Sequence, residues 1–276
     1  MSLTWKEKTP RRVFISGGGS GIGREFAHRL AQEGADVAIF NRKLAPDVLA
    51  ELKQMAIRPN QRFESYRADV SDEAGLRVAI DQAVAHIGAP DLAINSAGIQ
   101  FASPFEKLSS DDFNHVIQVN LIGSRNFAAA VVPHLSQGAH LVFVASLAGL
   151  VGSFSYAAYC SSKYGVVGLA AALRVELKLQ GIDVSICCPG EIDTPMVAIE
   201  RATIHPIAAA LKDFAGTMSV EPACELMLRS IARRKFEIVP GFKPRLTASL
   251  SRYLPNLMRL IADNIAAKAL RNTKNL

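Results

Sequence analysis

The chain has 276 residues, of which 49% are hydrophobic and 20% are charged, and this length and composition suit one α/β domain with a large core. No apolar run approaches the roughly 20 residues that a membrane-spanning helix needs. The Lys- and Arg-rich first twelve residues are not followed by an apolar signal segment, so we expect no secretion signal.

The formal net charge of +6 is unevenly placed along the chain. Residues 229–276 contain eleven basic side chains, opposed only by Glu237 and Asp263. Because this basic tail has no motif interleaved with aromatic residues, we expect no nucleic-acid partner. The four cysteines lack metal-ligand spacing, which predicts no metal site and buried free thiols in a reducing, cytoplasmic compartment.

Short β-branched runs alternate with longer amphipathic segments, a pattern typical of a parallel sheet covered on both faces. It predicts an α/β fold: a single doubly wound Rossmann domain in residues 1–240, with a seven-stranded parallel sheet and helices on both faces. The predicted strands are Val13–Ser16, Asp36–Phe40, Phe63–Arg67, Leu92–Asn95, Leu141–Ala145, Val184–Cys188 and Phe236–Val239, and the predicted helices lie near 22–33, 45–55, 72–87, 110–132, 157–180 and 220–233.

Two segments fall outside this alternation. Residues 190–219 are predicted to form a substrate loop with helical pieces and prominent apolar side chains. Residues 241–276 are predicted to form a basic, amphipathic C-terminal helical extension, interrupted at Pro255. In its second half, apolar residues at helical spacing are expected to share a face; they are Leu257, Leu260, Ile261, Ile265 and Ala269.

A glycine-rich turn follows the first strand and opens the first helix. Gly17, Gly21 and Gly23 allow a tight turn and a close backbone approach, and a helix N-terminus attracts a pyrophosphate. A glycine cluster also suits a plain turn, and this spacing differs from the Gly-x-Gly-x-x-Gly of many dehydrogenases. Its place between a strand and a helix favours a dinucleotide site, with Ser20 and Ile22 as further contacts.

The second strand ends in Asn41-Arg42-Lys43, where an NAD site normally carries an acid for the ribose hydroxyls. The planar fork of Arg42 suits a 2′-phosphate instead, with Asn41 beside it and Arg24 as a second candidate. The alternative is that Arg42 is a solvated surface charge. We therefore expect NADP(H) to be preferred, with NAD(H) as the alternative cofactor.

Two later strand ends are expected to complete the cofactor site. Asp69 ends the third strand region within reach of an adenine amino group, whereas a helix N-cap role belongs more naturally to Ser71. Small residues after the fourth strand would let a cofactor lie across the strand ends. The contacts predicted at these two ends are Asp69, Val70, Asn95, Ala97 and Gly98.

Tyr159 and Lys163 lie one helical turn apart and should face the same side. A tyrosine with a pKa near 10 can protonate an alkoxide, and a nearby ammonium lowers that pKa. We assign Tyr159 as the acid/base, Lys163 as the group that lowers its pKa and holds the nicotinamide ribose, and Ser146 as the group that orients a carbonyl. Asn120 is predicted to hold Lys163 through a water relay.

Alternatives to this assignment exist within the sequence. Tyr156 is a rival phenol, but Cys160, not a lysine, stands four residues beyond it. A Tyr-Lys pair at this spacing is also common on exposed helix surfaces. The presence of Ser146 and of the glycine turn favours the catalytic interpretation.

These residues resemble the pattern of the short-chain dehydrogenase/reductase family. The resemblance runs from Gly17 to roughly Thr194 and implies nicotinamide-dependent oxidoreduction of a carbonyl or alcohol, with Ser146, Tyr159 and Lys163 as the catalytic set. It also implies that four residues contact the cofactor's carboxamide end, namely Pro189, Gly190, Ile192 and Thr194. The matching segments are Asp69, Asn95-Ser96-Ala97-Gly98, Asn120, Ser146, Tyr159-Cys160-Ser161-Ser162-Lys163 and Pro189-Gly190.

Within that family the chain is similar to 3-ketodihydrosphingosine reductases, which use NADPH to reduce a long-chain keto-amine at a membrane surface. The apolar 190–219 segment and the basic tail would suit an acyl-chain substrate drawn from a membrane, although the tail lacks a long hydrophobic anchor. The similar segments are Phe105-Glu106-Lys107-Leu108, Asn120-Leu121-Ile122-Gly123-Ser124, Ala148-Gly149-Leu150-Val151-Gly152 and Asp193-Thr194-Pro195.

The sequence thus predicts an NADP(H)-dependent reductase of an apolar, lipid-like ketone. The alternatives are a 3-oxoacyl thioester reductase, a broad-specificity alcohol dehydrogenase linked to NAD(P), or a nucleotide-sensing scaffold without catalysis. The tail is expected to pack on the domain or on a second subunit, or else to touch a membrane peripherally. The resemblance further implies a homodimer or homotetramer paired through the helices near 110–132 and 157–180.

Overall fold

A seven-stranded parallel sheet forms the centre of the computed structural model, which describes residues 4–6 and 8–274. The strands of this part of the chain are β1 Arg12–Ser16, β2 Asp36–Asn41, β3 Phe63–Arg67, β4 Leu92–Asn95, β5 His140–Val144, β6 Asp183–Cys187, β7 Glu191–Asp193, β8 Thr217–Ser219 and β9 Glu237–Ile238. The sheet order is β3-β2-β1-β4-β5-β6-β9. The predicted doubly wound fold is confirmed, and the order reverses between β1 and β4, where a ligand crevice is expected.

The helices lie on both faces of this sheet. In the described residues they are α1 Gly21–Gln32, α2 Pro46–Gln54, α3 Glu73–Ile87, α4 Ser110–Ile117, α5 Gly123–Val131, α6 Ala157–Lys178, α7 Pro195–Arg201, α8 Pro206–Ala215, α9 Val220–Ala232, α10 Phe242–Tyr253 and α11 Pro255–Lys274. The predicted helix at 110–132 is not uniform, because the π-helical turn Gln118–Ile122 joins α4 to α5. None of these described helices combines the length and apolar character needed to cross a bilayer.

Alternation along each strand builds two cores, one on each side of the sheet. Val13 and Ile15 pack with α1 and α9, whereas Phe14 between them packs with α3 and α5. All three side chains are fully buried. The sheet is therefore held from both sides, and its carboxyl ends are fixed firmly enough to position a site.

The start of α3 differs from the sequence prediction. Asp72, not Ser71, caps the helix, since its carboxylate accepts a hydrogen bond from Gly75 N at 3.1 Å. The Ser71 hydroxyl instead donates to Asp69 at 2.6 Å. Ser71 therefore orients the neighbouring carboxylate.

The segment 190–219 is more ordered than the predicted loop. It contains α7 and α8, and its ends pair as the small parallel sheet of β7 and β8. The tail forms α10 and α11, and α11 packs against α8. The predicted apolar face of α11 is partly wrong, because Leu257 and Leu260 are exposed whereas Met258 is buried. The buried or half-buried residues of α11 are Met258, Ile261, Ala262, Ile265, Ala266 and Ala269.

Candidate active site

The glycine turn between β1 and α1 leaves no room for a side chain at Gly17 or Gly23. Gly17 has a φ of +70°, and a Cβ there would lie 2.7 Å from Ala97 N. A Cβ on Gly23 would lie 2.3 Å from the Gly17 carbonyl oxygen. Gly21 has a φ of +52° and approaches the Thr194 side chain, at 3.4 Å from a built Cβ. The turn thus brings the N-terminus of α1 close to both β4 and the segment after β7.

The end of β2 carries donor groups that suit an oxygen-rich ligand. Asn41 Oδ1 accepts from Gly19 N at 2.9 Å, while its buried Nδ2 has no hydrogen-bond partner among the described residues. Arg42 is exposed, and the contacts of the described residues include no ion pair for it. Arg24, in contrast, is bound to Glu51, with Nε 3.1 Å from Oε2, so the second predicted phosphate ligand is already engaged.

Asp69 is held as an ionised acceptor at the end of β3. Burial opposes ionisation, but hydrogen bonds from the Ser71 hydroxyl and backbone N–H hold the pKa of Asp69 below its ordinary value. The neighbouring Val70 is buried, and its carbonyl accepts from Asn126 Nδ2 at 3.0 Å. Asp69 therefore presents its carboxylate at the sheet edge, whereas Val70 anchors that edge to α5.

Asn95 lies inside the protein and links three elements. Its Oδ1 accepts from the Ser16 hydroxyl at 2.5 Å, and its Nδ2 donates to Ser124 Oγ at 2.7 Å. The Ser124 hydroxyl in turn donates to the Asn120 carbonyl at 2.5 Å. The Asn95 side chain is thus engaged within the protein, and the small residues Ala97 and Gly98 remain for a cofactor at this edge.

The π turn places Asn120 at the centre of the site. Its Oδ1 accepts from Ile99 N at 2.8 Å, and its Nδ2 donates to Ser162 Oγ at 3.0 Å. A Cβ built on Gly98 would lie 3.1 Å from Asn120 Oδ1 and 3.4 Å from Lys163 Nζ. Asn120 Oδ1 and Lys163 Nζ therefore both lie close to Gly98, and π turns such as the one that carries Asn120 are frequent at functional sites.

Ser146, Tyr159 and Lys163 converge at the carboxyl end of β5. Lys163 is 5% exposed, donates to the Val144 carbonyl at 3.2 Å and lies 5.6 Å from the centroid of the Tyr159 ring. Ser146 Oγ accepts from Ala148 N at 3.1 Å. The helical spacing that suggested this grouping is thus realised by α6.

The electrostatics of this group differ from the sequence expectation. Burial raises the pKa of Tyr159 to about 12, although a hydrogen bond with Ser146 lowers it. Burial lowers the pKa of Lys163 to about 8. The expected lowering of the Tyr159 pKa is therefore not found, because burial raises this pKa and helical spacing alone does not describe burial.

A cavity of about 190 Å³ opens beside Ser146 and Tyr159. At one end it reaches Ile22 of the glycine turn and the four residues expected at the carboxamide, namely Pro189, Gly190, Ile192 and Thr194. At the other end its wall is largely apolar and includes Met196, Val197, Leu211, Phe214 and Ala215. The tail closes this apolar end, since Thr247, Met258 and Ala262 also line the cavity. A built Cβ on Gly190 would lie 2.8 Å from Pro244, so α10 also packs against the predicted cofactor segment.

Sequence reasoning missed a polar network on one side of the cavity. We call it the Glu200 network. The Glu200 carboxylate accepts from Gln100 Nε2 at 2.7 Å and from the Tyr156 hydroxyl, and it pairs with Lys212. The rival phenol Tyr156 is therefore buried and engaged. The network consists of Gln100, Tyr156, Glu191, Glu200, Arg201, Lys212 and Asp213.

The fold and the site define an oxidoreductase that uses a nicotinamide cofactor. The sequence model of the short chain dehydrogenase family matches residues 11–205. The chain belongs to this family, as the resemblance predicted.

Relatives and solved structures agree with this assignment. A 3-dehydrosphinganine reductase of Arabidopsis thaliana is 33% identical over 84% of this chain and 70% of its own length. A 3-dehydrosphinganine reductase of Danio rerio is 30% identical over 81% of this chain and 69% of its own length. The narrower likeness predicted from the sequence is thus confirmed.

Two crystal structures share the fold. A short chain dehydrogenase from Mycobacterium paratuberculosis bound to NAD has a TM-score of 0.73 and 26% identity, covering 83% of this chain and 95% of its own. A short chain dehydrogenase from Burkholderia cenocepacia in complex with NADP has a TM-score of 0.73 and 28% identity, with the same coverage of 83% and 95%. Both nicotinamide cofactors therefore occur among proteins of this fold.

Proposed function

We propose that this protein reduces the ketone of a long-chain, lipid-like substrate to an alcohol, with NADPH as the hydride donor. The observation that carries the proposal is the cavity, whose apolar wall ends at Ser146 and Tyr159. An alkyl chain gains about 0.8 kcal/mol per buried CH₂, so such a wall favours a long chain over a small alcohol. The similarity to 3-dehydrosphinganine reductases supports the same substrate class.

The proposed roles follow from the positions of four side chains. When bound, the cofactor supplies the hydride. Tyr159 Oη donates a proton to the carbonyl oxygen, and Ser146 Oγ holds that oxygen by a hydrogen bond. Lys163, 5.6 Å from the Tyr159 ring, stabilises the phenolate left behind. Asn120 positions α6 through its hydrogen bond to Ser162.

The preference for NADPH rests on the end of β2, where an acid is replaced by exposed Arg42 and by Asn41 Nδ2, which has no partner among the described residues. Substitution of Arg42 by alanine should weaken NADPH binding by roughly 10- to 100-fold, the effect of one charge-assisted hydrogen bond. NADH binding should change little, because NADH has no 2′-phosphate. Cofactor fluorescence titrations measure both constants.

Lys43 supplies the matched control for this experiment, since it is an exposed cation at the next position. Its substitution by alanine should change NADPH affinity less than threefold, about the effect of one screened surface charge. If NADPH and NADH bind wild-type protein equally tightly, Arg42 does not read a phosphate and the cofactor preference is wrong.

Two exposed apolar surfaces support contacts with other molecules. On α6, Tyr164 and Val175 are 47% and 65% exposed, which favours pairing of two copies through this helix. On the tail, Phe242 and Tyr253 are 79% and 74% exposed, and the adjacent basic residues Lys243 and Arg252 are exposed as well. We propose that this basic and apolar tail face touches an anionic membrane surface peripherally. Further exposed apolar residues of the tail are Leu246, Leu254, Leu257 and Leu260.

Co-sedimentation with vesicles tests the tail surface. Wild-type protein should sediment with vesicles rich in phosphatidylserine and much less with phosphatidylcholine alone, and added salt should release it. Substitution of Phe242 and Tyr253 by serine should reduce sedimentation severalfold. Light scattering of the protein without vesicles reports whether it is a dimer or tetramer. Equal sedimentation with both lipids would contradict the proposed membrane contact of the tail. A monomer mass would contradict the pairing of two copies through α6.

A further inference from the structure

A second cavity lies at the amino end of the sheet. The first residues of β1, β4 and β5 line it, together with Trp5, Lys8 and Arg11 of the segment that precedes β1. Its volume is about 350 Å³, which is within the range of small-molecule sites. Because Ser146 and Tyr159 lie beyond the carboxyl end of β5, the second cavity and the active site are at opposite edges of the sheet.

Hydrogen bonds fix the proton of His140, which lines the second cavity. The Ser185 hydroxyl donates to the Lys235 carbonyl at 2.6 Å, so its oxygen can only accept from His140 Nε2, 2.7 Å away. Burial lowers the pKa of His140 to about 3, and the neutral ring therefore carries its one proton on Nε2. The side chain belongs to a residue that is 1% exposed, and its Nδ1 has no partner among the described residues. Nδ1 is thus a buried acceptor that lacks a donor.

Trp5 supplies the complementary group at the same cavity. Its indole Nε1–H is buried and has no acceptor in the described part of the chain. Buried donors and acceptors without a partner are unfavourable and rare in native proteins. Asn41 Nδ2, another atom of this kind, lies where the sequence predicts the cofactor. The unpaired atoms of His140 and Trp5 likewise indicate a ligand, one that brings both a donor and an acceptor.

The charges of the second cavity determine the sign of this ligand. Arg12 and Arg234 each lie beside an aspartate, at 3.8 and 3.5 Å. Lys8 and Arg11 are exposed, and their side chains make no ion pair within the described residues. Two cations without partners favour a dianion, and the planar fork of arginine suits a phosphate. Because both are exposed, salt screens their attraction, so they select an anion without binding it tightly.

We propose that the second cavity binds a small phosphate monoester that carries a hydroxyl group. Lys8 and Arg11 hold the phosphate, a phosphate oxygen accepts from Trp5 Nε1, and the hydroxyl donates to His140 Nδ1. The proposed membrane face of the tail belongs to helices that close the active-site cavity, at the other edge of the sheet. The position of the second cavity therefore favours a free small molecule over a lipid headgroup.

Trp5 is the only tryptophan of the chain, so its fluorescence reports on this cavity. Glycerol 3-phosphate, a dianion at pH 8, should change the Trp5 emission in a saturable way and raise the melting temperature. Propyl phosphate has no hydroxyl and should bind about 3- to 10-fold more weakly, the effect of one hydrogen bond between neutral groups. Glycerol has no phosphate and should not bind at the same concentrations. Added salt should weaken phosphate binding severalfold.

Two variants separate the charges from the acceptor. Lys8→Gln/Arg11→Gln should weaken glycerol 3-phosphate binding by about 4- to 25-fold, because each exposed ion pair contributes about 2- to 5-fold. Lys53→Gln, at an exposed position of α2, is the matched control and should stay within about twofold. His140→Phe removes the acceptor, so glycerol 3-phosphate and propyl phosphate should then bind equally well.

The contrary outcomes are distinct. An unchanged emission and melting temperature up to about 10 mM glycerol 3-phosphate would overturn the proposal, as would wild-type affinity in Lys8→Gln/Arg11→Gln. Equal binding of glycerol 3-phosphate and propyl phosphate to wild type would refute the role of His140, even if His140→Phe does not fold. Excess NADP⁺ should leave the affinity unchanged, whereas competition by NADP⁺ would place the phosphate in the cofactor site instead. None of these measurements uses ketone turnover, so their result is independent of the proposed function.

Discussion

Replacement of Tyr159 by phenylalanine is expected to lower kcat for ketone reduction by about 10²- to 10⁴-fold, the usual contribution of a positioned general acid. Tyr159 lies beside Ser146 and Lys163 at one end of the cavity, and no proton can come from the phenyl ring. Cofactor affinity should remain within a few fold, because the glycine turn and the end of β2 are unchanged. Single-turnover kinetics and a cofactor titration measure the two quantities.

Tyr156→Phe is the matched comparison, since both phenols line the same cavity. Its hydroxyl is bound to Glu200, so this substitution should alter KM and selectivity more than kcat. The assignment of the acid would be reversed if Tyr156→Phe removed turnover while Tyr159→Phe retained it. Full turnover by both variants would exclude a phenol as the proton donor.

The parts of this structure that follow from short-range patterns could be predicted from the sequence. Strands buried on both faces appear as continuous apolar runs, so β1 and β5 were recognisable without knowledge of their neighbours. The grouping of Tyr159 and Lys163 depends only on one turn of α6. The glycine turn depends on backbone space at Gly17 and Gly23, which is also a local property.

Features that depend on tertiary contacts could not be predicted in the same way. Gln100 and Glu200 are 100 positions apart and meet only because α7 folds back over the cavity. In α11, apolar residues occur on several sides, and packing against α8 buries Met258 at 6% exposure while Leu260 stays 58% exposed. Helical spacing identifies an apolar stripe on a helix, but it does not determine which stripe will pack against another helix.

The same limit applies to the charges at the active site. Sequence spacing brings an ammonium near a phenol and so predicts a lowered Tyr159 pKa. The fold also removes both groups from water, and this desolvation disfavours the charged form of each. It raises the pKa of Tyr159 to about 12 and lowers the pKa of Lys163 to about 8. Burial is a property of the folded chain and cannot be inferred from the i,i+4 spacing of two residues.

Lys163 should therefore destabilise the protein at neutral pH. Its folded pKa of about 8 lies below the ordinary 10.5, so the folded state binds fewer protons than the unfolded state between these values. The free energy of unfolding should then rise as the pH increases from about 8 to 10.5. This gain in stability is lost again as the pH falls towards 8. A shift of this size corresponds to about 3 kcal/mol.

Substitution of Lys163 by methionine should raise the free energy of unfolding at pH 7 by about 1–3 kcal/mol, since it removes a buried charge and keeps the chain length. The hydrogen bond to the Val144 carbonyl is lost, which offsets part of the gain. Ketone reduction should nevertheless fall by at least about 10²-fold, because the phenolate of Tyr159 loses its cation. Urea unfolding without cofactor measures the stability.

The pH dependence separates this explanation from a simple packing effect. The gain of Lys163→Met over wild type should shrink between pH 7 and about pH 9.5, because wild-type Lys163 is by then largely neutral in the folded state. Lys53→Met, at an exposed position of α2, should change stability by less than about 0.5 kcal/mol at either pH. A Lys163→Met variant that is less stable than wild type at pH 7, or whose gain is independent of pH, would show that Lys163 is not held against a desolvation cost. A gain that shrinks as expected would mean that the fold retains this lysine for its chemistry at the expense of stability.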